Sequence, residues 1–465
     1  MTGQIGRLAS VVAIAATVAL MGPAAWAQSA PGTGSSLPGV PAANPGAQSS
    51  SPTGVPAGAS AGTTVGAVTK FFARNRNVSV KERARPGYEA VGVHAGGFNI
   101  FPRLTADAQY NDNIYATQNG STADEIFHLS PEVLVKSNWN RHELDLYAHG
   151  TENAYANHST ENTFDYGVGA SGRLDVLESS NLFAGGSFDK ATEPRTSPNS
   201  PAAAAKPIRF DLTQVNLGGV REFDRLRLFG RVNYSDYNYF NTVTQAGAFL
   251  LQKDRNYHQW DENGRAEFAM SPEVSFYVTG TVHQINYLLR PPVSAFDRNS
   301  NGYDVAGGTS FDITRLIRGE AEVGVTHRSF ADPHFRDISS PYYRVGVDWL
   351  PTQLTTVNFS GSRTIQEAVN ISASSYIATT IAARIDHELL RNVILSAYGS
   401  YADDSYQQAA RSDKLAGFGA SATYLMNQHI GLRLAYDFSK LSSSGTAKVP
   451  SYDDNRLVLS FTFQL

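Results

Sequence analysis

Histidine, serine and the carboxylates are the residue types that could support catalysis here, since the 465-residue chain has no cysteine. Five histidines lie in strand-like segments: His142, His149, His283, His327 and His429. A hydrolase would need one of them within hydrogen-bond reach of a serine and an orienting carboxylate. No nucleophile elbow, a Gly-x-Ser-x-Gly turn between a strand and a helix, accompanies them. We therefore predict no catalytic residues and a protein that is not an enzyme.

Two groups of residues have the composition of a weak metal site. His327 and His334 flank Asp332, and Asp112 and Asp453–Asp454 lie beside asparagines in predicted loops or loop edges. The histidine spacing is loose for a metal site, and no calcium-loop pattern accompanies the aspartates. We predict neither a metal ion nor a cofactor, and interpret these residues as part of a polar rim.

Composition narrows the fold class. The chain is 42% hydrophobic but only 17% charged, with 40 Gly, 22 Tyr and 24 Phe. A mean hydropathy of −0.27 does not fit a bundle of transmembrane helices, which needs repeated apolar stretches of about 20 residues. The net charge of −4 gives no global basis for nucleic-acid binding, and no nucleic-acid partner is predicted.

From residue 97 to the C-terminus, apolar and polar residues alternate. In the last segment, every second position from Leu457 to Leu465 is Leu or Phe, and the positions between are mostly polar. Segments beginning at Leu226, Val274 and Ile430 repeat this pattern. Strands that cross a membrane in a barrel have this length and alternation. The predicted fold is all-β, a transmembrane antiparallel β-barrel over residues 97–465.

The connections between these segments alternate in length. Short ones, such as Leu177–Ser180 and Met270–Glu273, are followed by long polar ones, such as Asp189–Lys206 and Asn238–Asp254. About eight short turns and nine long loops predict about 18 strands, and the error in segment boundaries leaves 16 open. The short turns are expected on the periplasmic side and the longer loops on the extracellular side.

If the apolar face meets lipid, the opposite face lines the lumen. Both charge signs occur there in similar number, so no strong ion selectivity is predicted. Ion pairs that stabilise the wall are an alternative to solute contacts. Aromatic residues near strand ends, among them Trp260, Tyr287, Tyr342 and Trp349, are expected in interfacial girdles. The predicted lumen-lining residues are Arg227, Arg231, Arg265, Arg344, Arg384, Arg433, Glu143, Asp145, Glu267, Asp348, Asp386, Asp437, Tyr147, Tyr277 and Tyr398.

The N-terminus has the anatomy of a secretory signal peptide. Arg7 precedes an apolar run over Leu8–Met21, and the small-residue site Ala25–Ala27 predicts a signal peptide of residues 1–27. Residues 28–96 are predicted to be a flexible periplasmic lead-in, first uncharged and rich in Ala, Gly, Pro and Ser, then basic from Lys70 to Arg85. We interpret the basic run as a solvated linker. A partner contact and a position inside the lumen are the alternatives.

The start of the barrel carries a family resemblance. Its motifs are residues 81–89 (Lys-Glu-Arg-Ala-Arg-Pro-Gly-Tyr-Glu), Gly92, Phe101–Pro102 and Tyr110–Tyr115, and Leu129–Glu132 continues them. The chain resembles the "putative beta-barrel porin" family of Gram-negative outer-membrane proteins, over roughly residues 80–465. Members are frequently encoded beside exopolysaccharide genes, so the resemblance implies an outer-membrane barrel that passes or organises secreted polysaccharide. It implies no catalytic or binding residues.

Three functions are compatible with these features. The first is a porin-like channel of the outer membrane that passes polysaccharide or small hydrophilic solutes. The second is a closed scaffold barrel of an exopolysaccharide secretion assembly, and an enzyme acting on lipid or polysaccharide ranks last. Expected partners are outer-membrane lipid, periplasmic export components, and the barrel assembly machinery, which would read the apolar C-terminal strand.

Overall fold

The computed structural model describes residues 77–368, 373 and 375–465. Almost all regular structure in these ranges is β-strand, with short 3₁₀ turns at Ser159–Glu161 and Lys253–Arg255. The strands are β1 (Val93–Ala95), β2 (Phe98–Asn111), β3 (Asp124–Ser137), β4 (Glu143–Tyr155), β5 (Thr163–Leu177), β6 (Ser180–Thr192), β7 (Arg209–Phe223), β8 (Leu226–Tyr239), β9 (Thr242–Val243), β10 (Phe249–Leu250), β11 (Tyr257–Ala269), β12 (Val274–Tyr287), β13 (Ser300–Ile313), β14 (Ile317–Phe330), β15 (Ile338–Thr352), β16 (Thr355–Glu367), β17 (Ser375–Leu390), β18 (Val393–Tyr406), β19 (Ser412–Leu425), β20 (Ile430–Ser444) and β21 (Tyr452–Gln464).

The period-2 pattern of the sequence decides which face each side chain occupies. In β12, Phe276 and Val278 are 51% and 62% exposed, whereas Tyr277 between them is 3% exposed. Successive side chains of a strand point to opposite faces of a sheet. The exposed apolar side chains therefore form the outer surface, and the polar side chains face inward.

Antiparallel pairing closes the sheet into a barrel. Each long strand pairs with its neighbour along the chain, and β8 pairs with β11 because β9 and β10 form a separate hairpin. The first and last long strands meet, from Arg103 opposite Gln464 to Asn111 opposite Arg456. The described residues thus form a closed antiparallel barrel of 18 long strands, which confirms the predicted fold class and strand number.

The two rims of the barrel differ. Connections at residues 178–179 and 224–225 are tight turns, and the eight predicted short turns all lie on this rim. The opposite rim carries longer connections, including residues 193–208 and 240–256. Within the described ranges, no helix is long and apolar enough to cross a membrane.

Part of the interior near the long-loop rim is packed. Ile208, Phe210 and Leu212 are fully buried and cluster with Tyr237 and Tyr239. Phe210 and Leu212 are inward-facing residues at the start of β7, and Ile208 ends the connection that precedes it. The long-loop end of the lumen is consequently narrower than the bare ring of strands would be.

Candidate functional site

The inner face of the barrel is the candidate site. Strand register places all fifteen predicted lumen-lining residues on this face, alternating with exposed apolar neighbours such as Phe268 and Leu434. Several are deeply buried, including Glu267 at 0% and Asp386 at 1% exposure. Contact between these residues and a solute stays a prediction.

Most of the predicted charges are paired along the wall. Arg265 Nη2 lies 3.1 Å from Glu267 Oε2, and its Nη1 lies 3.2 Å from Glu320 Oε2. Arg384 Nη2 lies 3.0 Å from Asp386 Oδ1. The Arg265–Glu267 and Arg384–Asp386 pairs each lie within one strand, whereas the pair of Arg265 with Glu320 joins β11 to β14. Together they leave little net charge on the lumen. Further pairs are Glu143 with Arg173, Arg227 with Glu222, Arg344 with Glu322, and Asp348 with Arg318.

Arg231 and Arg433 differ from the other predicted arginines. In the part of the chain that the structure describes, Nε of Arg231 and Nη1 of Arg433 are buried without a hydrogen-bond partner. Neither guanidinium has a carboxylate within ion-pair distance among the described residues. Their charges are therefore the least neutralised of the predicted set.

Three inward-facing tyrosines form a row near the long-loop rim. Tyr257 is in register with Tyr237 on one side and Tyr287 on the other. Their ring centroids are 4.6 Å and 5.3 Å apart. This tyrosine row borders a cavity of about 310 Å³, which Ile285 and Thr326 also line. The row forms a continuous aromatic surface in an otherwise polar lumen.

The sequence analysis missed this row. It assigned Tyr287 and Tyr342 to an outer girdle, but the structure corrects both: they face inward and are 3% and 5% exposed. The reason is register, since the position of an aromatic near a strand end does not reveal the face it occupies. The available signal was that Tyr237, Tyr257 and Tyr287 lie at matching distances from the long-loop ends of successive strands.

Charges around the cavity balance one another. His283 Nδ1 lies 2.6 Å from Asp261 Oδ1, and its Nε2 lies 2.9 Å from Asp304 Oδ2. The cavity's other arginines are also paired, except Arg298, which has no carboxylate within ion-pair distance among the described residues. Arg298 donates to the Ala368 carbonyl and lies over the Tyr287 ring, 4.4 Å from its centroid. Only Arg344 is substantially exposed, at 47%. The cavity therefore offers hydrogen-bonding groups and aromatic faces without a strong net charge. The remaining pairs are Arg255 with Glu193, Arg328 with Glu367, and Arg344 with Glu322.

Residues 77–89, here called the mouth segment, lie inside the short-turn rim. Val80 is fully buried, and its backbone N–H donates to Thr356 Oγ1 at 2.9 Å. Arg85 is 6% exposed, and its Nη2 lies 3.0 Å from Glu388 Oε2. The interpretation as a solvated linker is therefore wrong for these residues, because their partners are lumenal side chains. The predicted signal peptide and the lead-in up to residue 76 lie outside the described residues.

Contacts with the lumen wall shift the pKa values of two ionisable groups in the mouth segment. Arg318 Nη2 donates to Glu82 Oε2 at 2.7 Å. Partial burial raises the pKa of Glu82, but bonds from Arg318 and Ser79 outweigh it, and the pKa is lowered overall. Desolvation inside the barrel lowers the pKa of Lys81, and the charge of Arg384 lowers it further. The mouth favours the carboxylate of Glu82 and disfavours the cation of Lys81.

The motif Tyr110–Tyr115 closes the barrel seam. The Asp112 carboxylate accepts from Asn455 N at 2.8 Å and from Asn455 Nδ2 at 2.7 Å. Asn113 Nδ2 donates to Asp453 O at 2.8 Å and to Thr117 O at 2.9 Å. These loop-edge residues thus join β2 to β21. Among the described residues, no three His, Asp or Glu gather as metal ligands.

Gly92, another motif residue, adopts a backbone conformation that favours glycine. Its φ is +75°, and a Cβ there would lie 2.7 Å from Phe101 Cε1. A side chain would be strained and would collide with that ring. The close approach holds the chain against β2 between the mouth segment and the barrel.

Among solved structures from Pseudomonas aeruginosa, outer membrane protein opdK is similar at 11% identity, covering 79% of this chain and 99% of that chain, with a TM-score of 0.42. OpdL shows 11% identity over 80% and 100%, with a TM-score of 0.42. A mutant ferric enterobactin receptor PfeA shows 6% identity over 79% and 80%, with a TM-score of 0.43.

The comparison with curated proteins finds no match. The family model described as "Putative beta-barrel porin 2" matches residues 85–465, which confirms the resemblance predicted from the sequence. This span includes every long strand of the barrel and most of the candidate site. The chain belongs to this family of membrane-embedded β-barrels.

Proposed function

We propose that this protein is an outer-membrane channel for neutral hydrophilic solutes, with saccharides as the substrate class. The observation that carries the proposal is the tyrosine row beside a charge-balanced cavity in the lumen. Barrels of 16–18 strands are wide enough to enclose an aqueous channel. A channel, rather than an enzyme, accounts for the paired charges of the lumen.

The chemistry of the cavity favours sugar rings. Tyrosine faces pack against the apolar face of a sugar ring, and paired carboxylates and guanidinium groups still exchange hydrogen bonds with hydroxyls. A volume of about 310 Å³ lies at the lower end of ligand sites, which span roughly 300–1,000 Å³. Most charges of the cavity are paired, and Arg298, which has no ion pair among the described residues, is only 4% exposed, so little positive charge faces an acidic ligand.

A planar-bilayer recording tests this function. The full exported chain should give stable conductance steps, and maltohexaose, a neutral probe, should interrupt the current more strongly than trigalacturonic acid at equal concentration. Tyr257→Ala should weaken the interruption by about fivefold, since one aromatic stacking contact contributes roughly 1 kcal/mol. Tyr303→Ala, on the outer face of β13, is the matched control. Equal interruption in both variants would contradict the saccharide assignment.

Ion selectivity gives a second test of the lumen. Replacing Arg231 and Arg433 with Glu should shift the reversal potential toward cation preference, because these two charges are the least neutralised. Arg384→Glu alone, at a residue paired with Asp386, changes the lumenal charge by two units instead of four, so it should shift the reversal potential less after correction for folding yield. An unchanged reversal potential in the double variant would place these arginines outside the ion path.

A closed scaffold barrel in an exopolysaccharide secretion assembly is the second candidate. The observation that favours it is the mouth segment, which occupies the short-turn rim. In that case, periplasmic export components would be its partners, and the folded protein would show no conductance. Outer-membrane lipid and the assembly machinery that would read the C-terminal strand are partners that both candidates share.

A further inference from the structure

We propose that the mouth segment is a releasable gate that narrows the channel when docked and opens it when it leaves the rim. This inference rests on the channel function proposed above. Docked residues of the segment contact β14, β16 and β17, all through inward-facing groups. The segment therefore crosses part of the mouth instead of lining a single strand.

The docked segment reaches from the wall toward the lumen. Asn77 Nδ2 donates to the Arg315 carbonyl in the turn before β14, and Arg85 contacts Glu388 near the end of β17. Between them, Lys81 lies close enough to Arg384, Asp386 and, on β20, Arg433 for their charges to act on it: the two arginines repel its cation and Asp386 attracts it. A solute that enters from this rim would meet the segment before it meets most lumenal pairs.

The segment has a compact turn of its own. Glu82 Oε2 accepts from Ser79 Oγ at 2.9 Å, and Arg83 N donates to Ser79 O at 3.0 Å. Arg85 Nη2 donates to the Val80 carbonyl at 2.6 Å. These bonds lie within the segment and do not depend on the wall. The turn can therefore leave the rim as a unit without losing them.

The contacts with the wall are few and mainly polar. Val80 is the fully buried apolar side chain of the segment, whereas Val78 is 49% exposed. Glu82, which pairs with Arg318, is 56% exposed, and such pairs are screened by water and salt. No strand pairing joins residues 77–89 to the sheet in the described structure. The Arg85–Glu388 pair is buried, but Val80 supplies the one fully buried apolar side chain within residues 77–89. Regions with little buried apolar contact open at a low free-energy cost.

The absence of cysteine from the sequence permits a direct test in the full exported chain. Val80→Cys reports docking, because its thiol should react with a maleimide only after release. Val78→Cys is the exposed control, since it should react in either state.

Two further variants change the docking itself. Val80→Cys with Thr356→Cys locks the segment by a reversible disulfide, and Glu82→Gln with Arg85→Gln, the weakened variant, removes its charged anchors. Heat-modifiable gel mobility checks that each variant is a folded barrel.

We expect the weakened variant to label at position 80 at least tenfold faster than the parent, because it removes two charge-assisted contacts with the wall and loss of either one predicts about tenfold. Its conductance should rise. Oxidation of the paired cysteines should lower conductance below that of the parent, and reduction should restore it. Higher salt should speed labelling at position 80 but not at position 78.

Each of the other outcomes would contradict one part of the proposal: release, gating or the channel itself. Unchanged labelling in the weakened variant would overturn release. Faster labelling with equal conductance in locked, parent and weakened proteins would overturn gating and leave the channel intact. Faster labelling with no conductance in any folded form would overturn the channel itself and favour the scaffold barrel.

Discussion

Asn113 shows how one side chain can hold the barrel closed. It is 2% exposed, and its amide group bridges the first long loop and the residues that open β21. Thr117 N also donates to Asn113 Oδ1 at 3.0 Å. With both ends of its amide engaged, the side chain fixes the loop against the last strand. The motif Tyr110–Tyr115 is thus explained by closure of the sheet and needs no ligand.

Asn113→Ala should lower the free energy of unfolding by about 1–3 kcal/mol, because it leaves buried partners unsatisfied. Urea unfolding in phospholipid vesicles would measure the change. Asn138→Ala is the matched control, since Asn138 lies at the short-turn rim and is exposed. Equal destabilisation by the two variants would contradict a special role for the seam.

At the scale of elements, strands and turns could be predicted, whereas docking of the mouth segment could not. Alternation such as Leu457 to Leu465 determines β21 locally, and no distant residue is needed to recognise it. Docking depends on Arg85 meeting Glu388 and on Val80 meeting Thr356, nearly three hundred positions apart. A basic run with such partners has the same composition as a solvated linker, so the sequence favoured the wrong interpretation for residues 77–89.

Acid should loosen the mouth segment. The pKa of Glu82 when docked is lower than its ordinary value of 4.5, so docking gains stability from the carboxylate above that value. The gain is lost as the pH falls from 4.5 through the lowered pKa. We expect channel conductance to rise severalfold between pH 7 and the acid side of this range. Glu82→Gln should remove most of the pH effect, and a pH response unchanged by this variant would assign it to another group.

At the scale of the whole molecule, adjacent residues of one strand face the outside and the lumen in turn. The same substitution should therefore have different costs in unfolding free energy at two adjacent positions. Val278 faces outward in the middle of β12, and Thr279 faces the lumen. Val278→Arg should cost about 2–4 kcal/mol, the usual cost of a cation on the lipid face at mid-membrane. Thr279→Arg should cost much less, because the lumen is polar. Urea unfolding in vesicles compares the two, and equal costs would contradict the assignment of faces.

The candidate site was predicted in its composition but not in its arrangement. Strand phase was enough to place Arg265, Glu267 and Tyr277 on the inner face. Their partners depend on the register between neighbouring strands and on how loop and strand-end residues cluster in the lumen, as Ile208 and Phe210 do. Periodicity contains neither kind of information, so the tyrosine row became visible only in the assembled barrel.

The mouth segment is covalently joined to the pore that it occupies, through the residues around Gly92. Only seven residues lie between Arg85 and Val93, the start of β1, and this stretch can extend no more than roughly 28 Å. A released segment therefore stays at an effective concentration of about millimolar near its own rim. Reclosure is then first order, with one segment for each pore and no dependence on how many barrels a membrane holds. Proteolytic cutting between residues 86 and 91 would turn this closure into a bimolecular reaction, and dilution alone would leave the pore open.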